Sequence, residues 1–240
     1  MTRTQQDAAK EAVGREAAAL VMPGMRLGLG TGSTASAALR AIGQRVREEG
    51  LDVVGVATSY ASEHLARECG IPLVQVDEVE RLDLAMDGAD EVDPMLNLIK
   101  GRGAAHSREK VIAAMADKFV VLADPSKIVD RLGVKAPVPI EVMPMALAPV
   151  MRSLEQLGAR AELRVGVKKD GPVVTDQGFW IVDAYFGPIA DAEALNRTLK
   201  GLPGVLDHGL FLGMASLALV GAPDGSVRHL EPVGVLPPIG

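Results

Sequence analysis

Apolar positions recur along this chain at helical and at strand spacing in turn. Residues 4–22 place Ala9, Val13, Ala17 and Leu20 near one helical face, and Pro23-Gly24 ends the element. The run 25–29 predicts a short strand, and a glycine-rich loop follows it. The next helix carries Ala35, Ala38, Leu39, Ile42 and Val46 inward, with Ser33 or Thr34 as its cap. Strands are predicted at 53–57, 71–76, 82–86 and 119–123, with helices at 62–68 and 104–116 between them. This alternation predicts an α/β fold, a mostly parallel sheet with helices on both faces.

Near Gly133 the pattern changes. A strand at 138–142 is followed by a helix at 146–157 that closes at Gly158. Strands at 161–167 and 173–175 flank a Lys168-Lys169-Asp170-Gly171 turn, then come a strand at 180–186, a helix at 192–199 and a strand starting at 205. The order β-α-β-β-α-β is the ferredoxin-like arrangement. The chain is therefore expected to hold a small inserted α+β domain at 133–204. Residues 1–132 and 205–240 would form the larger domain, with tail strands near 217–220 and 227–230 rejoining it.

Composition narrows the picture. The 240 residues include one Trp, two Tyr and four Phe, so the core must be aliphatic, which suits a buried parallel sheet. A net charge of -6 without a basic tract argues against a nucleic-acid partner. Cys69 is the single cysteine, which excludes an intrachain disulfide and a cysteine-based zinc site. His64, His106, His208 and His229 show no metal-ligand spacing. The N-terminus has no apolar signal core, and no segment approaches the roughly 20 apolar residues of a membrane span. A cytoplasmic protein without a membrane partner is expected.

Candidate chemistry gathers where strands end. Asp87-Gly-Ala-Asp90-Glu91 follows the 82–86 run, with Lys100-Gly-Arg-Gly103 and Arg108-Glu109-Lys110 close behind. Gly28-Leu-Gly30-Thr31-Gly32-Ser33-Thr34 follows the first strand and opens a helix. Its spacing is not G-x-G-x-x-G, the second strand ends Val56-Ala57-Thr58-Ser59 without an acid, and no Gly-Lys-Ser/Thr follows. Two readings remain for the loop. It offers N–H groups and hydroxyls to a small anion, or it needs glycine for geometry alone. Taken singly, Asp87 and Asp90 read as turn residues, Lys100 as a solvated turn lysine and Glu109 as part of a charged helix face. Lys127, after Asp124-Pro125-Ser126, stands at another strand end. Their joint placement favours function, because strand carboxyl ends converge on one crevice in a parallel sheet.

The chain resembles ribose-5-phosphate isomerase of the A type. The resemblance rests on Gly30-Thr-Gly-Ser-Thr-Ala35, the Asp87, Lys100 and Arg108 segments, Ala123-Asp-Pro-Ser-Lys127, Val138-Pro-Ile-Glu-Val142, Thr175-Asp176 with Gly178, and Pro203-Gly-Val-Leu-Asp-His-Gly-Leu-Phe211. It implies a Rossmann-like main domain with a smaller α/β domain, assembled as a homodimer or homotetramer. It also implies interconversion of D-ribose 5-phosphate and D-ribulose 5-phosphate without metal or organic cofactor. Glu109 matches the proton-transferring base. Thr31, Gly32, Ser33 and Thr34, then Asp87, Gly88, Ala89 and Asp90, then Lys100, Gly101, Arg102 and Gly103, and finally Lys127 match the substrate-binding segments. Lys10 lies where some members place a phosphate-contacting lysine. In the expected chemistry Lys100 offsets enediolate charge, and Asp87 transfers a proton during ring opening with Asp90 supporting it or binding hydroxyls. Gln177 and Phe179 depart from the family pattern, and His208 is read as structural. A sugar-phosphate deaminase, a CoA transferase and a non-catalytic sugar-phosphate sensor are the rival readings.

Overall fold

Strand and helix alternate as the hydrophobic pattern requires across residues 3–233, the part that the computed structural model describes. Helix α1 (Arg3–Ala19) leads into β1 (Arg26–Leu29), α2 (Ser33–Glu49), β2 (Val54–Ala57), α3 (Tyr60–Glu68) and β3 (Leu84–Gly88). Two short strands, β4 (Glu91–Val92) and β5 (Leu98–Ile99), precede α4 (His106–Ala114) and β6 (Phe119–Ala123). Then follow β7 (Val138–Val142), α5 (Leu147–Gln156), β8 (Arg160–Leu163), β9 (Trp180–Tyr185), α6 (Ala192–Lys200) and β10 (Val205–His208). Strands β11 (Leu210–Phe211), β12 (Leu217–Gly221) and β13 (Val227–Leu230) come last.

The central sheet has the order β13-β12-β6-β3-β1-β2, parallel except for β13. Successive side chains point to opposite faces. Leu84, Met86, Val120 and Leu122 pack with Val13, Leu39 and Ile42 of α1 and α2. Ala85, Val121 and Ala123 pack with Ile112 and Ala113 of α4. Asp87 shares the parity of Ala85 and so emerges on the α4 side, where Glu109 sits one turn before Ile112. The chain order reverses at β1, with β2 on one side and β3 on the other. The crevice beyond the ends of β1 and β3 is the place where such sheets bind ligands.

A four-stranded antiparallel sheet, β10-β7-β9-β8, is built from the β-α-β-β-α-β run. Val138, Ile140 and Val142 line its own core with Val150, Leu154 and Leu199. β10 lies beyond the expected limit at 204 yet pairs with β7, so this sheet closes only at His208. A third sheet, β11-β5-β4, was not expected, because strands of two residues show no period.

Other expectations need correction. Neither Ser33 nor Thr34 caps α2: its cap is Gly32, with φ 99, and makes no side-chain bond. The predicted strand at 71–76 reduces to a bridge between Leu73 and Gly55, since Pro72 supplies no N–H and the chain enters a 3-10 turn at Val76–Glu78. The 161–167 and 173–175 pair is only partly a ladder. Beyond β8 it keeps one isolated bridge, Val165–Pro172, while Val174 bridges to Trp180 of β9 instead. The helix expected at 104–116 begins at His106 and ends at Ala114. Among the described residues, no helix is long and apolar enough to cross a membrane.

Candidate active site

The end of β1 and the end of β3 are joined directly. Thr31 N donates to Asp87 Oδ1 at 2.9 Å, and Gly88 N donates to the same oxygen at 2.7 Å. Gly30 makes this approach possible, since a Cβ there would stand 2.5 Å from Asp87 Oδ1. The Thr31 hydroxyl lies 2.9 Å from Thr58 Oγ1 and 2.6 Å from Ser59 Oγ, just beyond the end of β2. Three strand ends are thereby tied around one loop. Thr58 and Ser59 were noted in sequence only for lacking an acid, and nothing in their spacing signals this role.

Lys100 follows β5, and its backbone N donates to Gly209 O at 2.8 Å beside β11. The third sheet thus carries the lysine to the crevice. The side chain is buried, and Nζ donates to Gly88 O at 2.5 Å. It also lies 3.1 Å from Asp87 Oδ2 and 3.2 Å from Glu109 Oε2, with the Phe211 ring centre at 5.4 Å. One buried ammonium therefore faces two buried carboxylates. Burial opposes the charge on Lys100, but the carboxylates outweigh it and raise its pKa above the ordinary lysine value. Burial, and then the Asp87 charge, push the Glu109 carboxyl up to about 8, against the pull of Lys100. Burial also raises Asp87, opposed by Lys100 and by the two backbone donors. Asp87 keeps those donors on Oδ1, whereas Glu109 has only Lys100. Both carboxyls are thereby pushed toward the protonated form, and they share one ammonium between them.

Above this triad opens a cleft of about 580 Å³. Of the residues expected in the site, Thr31, Gly32, Ser33 and Thr34 line it, as do Gly88, Ala89, Asp90, Lys100, Gly101, Arg102, Gly103, Glu109 and Lys127. Lys10 and Gln6 of α1 complete one side; Gln6 was not singled out in sequence, although it precedes Lys10 by one helical turn. Ser126 and Asp124 are lining residues that also went unassigned. Asp87 is the exception. At 3% exposure it lies beneath the wall and reaches the cleft through Lys100. Asp90 is on the wall, with Oδ2 accepting from Arg102 N at 3.0 Å. Arg164 braces this loop from the small sheet, donating to Gly101 O at 2.9 Å and Arg102 O at 3.0 Å while paired with Asp183.

The two nearby histidines do not enter the cleft. His106 is fully buried, and burial followed by the Lys110 charge pushes its pKa down to about 3. His208 is likewise pushed down to about 3 by burial and Lys110, and its Nδ1 lies 3.3 Å from Leu210 N. Among the described residues, no group of three His, Cys, Asp or Glu is placed to hold a metal ion. The wall offers cations and a helix start at one side and a desolvated carboxyl at the other. That arrangement can hold an anion and move a proton.

Residues 54–225 match the family model for ribose 5-phosphate isomerase A (phosphoriboisomerase A). The chain is 54% identical over 226 residues to ribose-5-phosphate isomerase A of Haloarcula marismortui, covering 94% of this chain and 97% of that one. It is 52% identical over 213 residues to the Thermosynechococcus vestitus protein of the same name, covering 88% and 90%. The solved ribose 5-phosphate isomerase A from Methanocaldococcus jannaschii superposes with a TM-score of 0.89 at 45% identity, over 93% of this chain and 98% of that one. A D-ribose-5-phosphate isomerase in complex with phospho-erythronic acid superposes with a TM-score of 0.90 at 45% identity, over 93% and 97%. Sequence identity and superposition agree over nearly the whole chain, and the chain belongs to the ribose-5-phosphate isomerase A family.

Proposed function

We propose that the crevice interconverts D-ribose 5-phosphate and D-ribulose 5-phosphate through an enediolate, a step of the non-oxidative pentose phosphate pathway. The observation that carries the mechanism is the Glu109 carboxyl, desolvated on the cleft wall and 3.2 Å from Lys100. A C–H beside a carbonyl is a weak acid, so its removal needs a placed base and a counter-charge for the oxygen that becomes negative. Glu109 takes the proton from C2 and returns it to C1, both on one face of a cis-enediol. Lys100 offsets the oxyanion. Phospho-erythronic acid, held by one solved relative, is an acid phosphate whose carboxylate matches the charge of that intermediate.

Ring opening moves a proton to the ring oxygen and another away from the C1 hydroxyl. Asp87 is buried with Oδ1 engaged twice, so its part in this step runs through Lys100. Asp90, on the wall, binds sugar hydroxyls. Lys10, Lys127 and the start of α2 surround the space for the phosphate.

The wider assembly reading is a cytoplasmic homodimer or homotetramer. It rests on the resemblance to ribose-5-phosphate isomerase of the A type. The domain division follows the sheets: the small unit runs from about 133 and includes β10, and the remainder forms the larger one. Residues 234–240, assigned to the larger domain from sequence, lie outside the described residues. The deaminase, CoA-transferase and sensor readings find no support among the relatives described above.

Ketose formation from D-ribose 5-phosphate by EDTA-treated protein tests the reading. Turnover by the wild type, and its loss in Glu109→Gln, is the expected result. A folded wild type that makes no ketose would discard the isomerase.

A further inference from the structure

Two sequence segments that resemble the family have no place in the chemistry above: Val138-Pro-Ile-Glu141-Val142 and Thr175-Asp176. The structure joins them. Val138, Ile140 and Val142 face the core beneath α5 and α6. Glu141 has the opposite parity and projects from the central part of the small sheet toward the larger one. It is 0% exposed, so its oxygens must find donors within the protein. Oε1 accepts from Thr175 Oγ1 at 2.5 Å, and Oε2 accepts from Ser107 Oγ. The Thr175 hydroxyl in turn accepts from Phe179 N at 3.1 Å, which closes the turn.

Ser107 is the second residue of α4, and Glu109 is the fourth. The start of α4 has no side-chain cap of its own, because Ala105 stands in the capping position. The first turn is held from outside instead. Ser107 is bound to Glu141 of β7, and Lys110 Nζ donates to Asp207 Oδ1 at 2.6 Å and to His208 O at 2.5 Å in β10. Residues on both sides of Glu109 are thus fastened to the small sheet. The base carboxyl is paired with Lys100, and its Oε2 has no hydrogen bond that would fix its height above the cleft.

We propose that Glu141 is a positioning residue for the isomerisation, acting through Ser107 to hold the first turn of α4 and with it the Glu109 carboxyl. The inference rests on the isomerase reading. A proton-transferring carboxyl works only within a narrow distance of the carbon, and a shift of an ångström costs rate more than binding. The small unit therefore does more than enlarge the core: it sets the geometry of a base that belongs to the larger sheet.

The test compares Ser107→Ala, Ser107→Thr and Glu141→Gln with the wild type. It reads kcat and KM for D-ribose 5-phosphate, the affinity for phospho-erythronic acid, and the melting temperature. Ser107→Ala is expected to lower kcat about tenfold or more, with KM and phospho-erythronic acid affinity within about twofold. Ser107→Thr, which keeps the hydroxyl, is expected to restore most of the rate. Glu141→Gln should lower kcat in the same way, and the double variant Ser107→Ala with Glu141→Gln should be no slower than the worse single one. A folded Ser107→Ala enzyme with wild-type kcat overturns the inference, even if it melts earlier. So does a Ser107→Ala enzyme that loses phospho-erythronic acid affinity in step with kcat. If Glu141→Gln does not fold, the two Ser107 variants decide alone. Wild-type turnover is the shared control, so loss of the isomerase reading itself would show there and not in the variants.

Discussion

Glu91 and Glu109 are buried alike, at 0% and 5% exposure, but their surroundings differ in kind. Glu91 accepts from three backbone donors, Gly133 N at 2.6 Å, Lys135 N at 2.5 Å and Ala136 N at 2.7 Å. It anchors the chain where the small unit begins. Glu109 meets one ammonium, and its Oε2 has no hydrogen bond. A buried carboxylate with a full set of donors has its hydrogen-bonding capacity met and is held in place. One with too few donors gains a proton and becomes a group that can exchange it near neutral pH. Burial alone thus says little about function; the number of donors decides.

The sharpest break of this comparison is to neutralise each glutamate in turn. Glu109→Gln should lower kcat by about 10²–10⁴, the usual contribution of a placed base, while KM changes little. Steady-state rates with D-ribose 5-phosphate check it, and near-normal turnover would remove Glu109 from the role. Glu91→Gln should do the reverse. It replaces one acceptor oxygen with an amide that faces backbone N–H groups, which costs about 1–3 kcal/mol of stability. Urea unfolding should show that loss, and the kcat of the molecules that remain folded should match wild type. A Glu91→Gln enzyme that is stable but slow would erase the distinction between the two carboxylates.

The same distinction explains which features could be read from sequence. Asp87, Lys100 and Glu109 were legible because glycines and charges at the ends of apolar runs mark strand termini, and a parallel sheet gathers such termini on one edge. That Asp87 lies below the cleft floor was not legible, because it depends on two backbone donors from the turn that follows β1. Thr58 and Ser59 carry no charge and no motif; their role appears only when β2 is paired beside β1. Ser107 and Glu141 meet across thirty-four positions of the chain, and both have ordinary readings alone. Local pattern gave the strands of the central sheet to within a residue or two. It overran at 71–76, where Pro72 breaks the ladder, and it missed β4, β5 and β11, which are too short to have a period.

A smaller effect separates the two ends of the cleft. Lys127 lines the cleft and has no ion pair with the buried triad, so it should serve binding and leave proton transfer alone. Lys127→Ala is expected to raise KM about tenfold, the scale of one charge-assisted hydrogen bond, with kcat within about twofold. Initial rates across substrate concentration check this split. An unchanged KM would detach Lys127 from the phosphate.

The last prediction concerns pH and turns on sign. With its pKa raised to about 8, Glu109 is mostly protonated in the free enzyme at neutral pH and must ionise to act as a base. The kcat/KM of the wild type should therefore climb as pH rises, half-maximal near pH 8 and level above about 9; at pH 7 about a tenth of the plateau remains. Stability moves the other way. A carboxyl whose folded pKa exceeds its unfolded value takes up a proton on folding, so its contribution is complete below the unfolded value of 4.5 and is lost as pH rises through about 8. Glu109→Gln removes that dependence. The variant should gain melting temperature relative to wild type, and gain more at pH 9 than at pH 6. Thermal melts at the two values distinguish this from a packing effect, which would shift both alike. An equal shift would mean that Glu109 is ionised in the folded protein at neutral pH, and the contrast with Glu91 would then rest on position and hydrogen-bond donors alone.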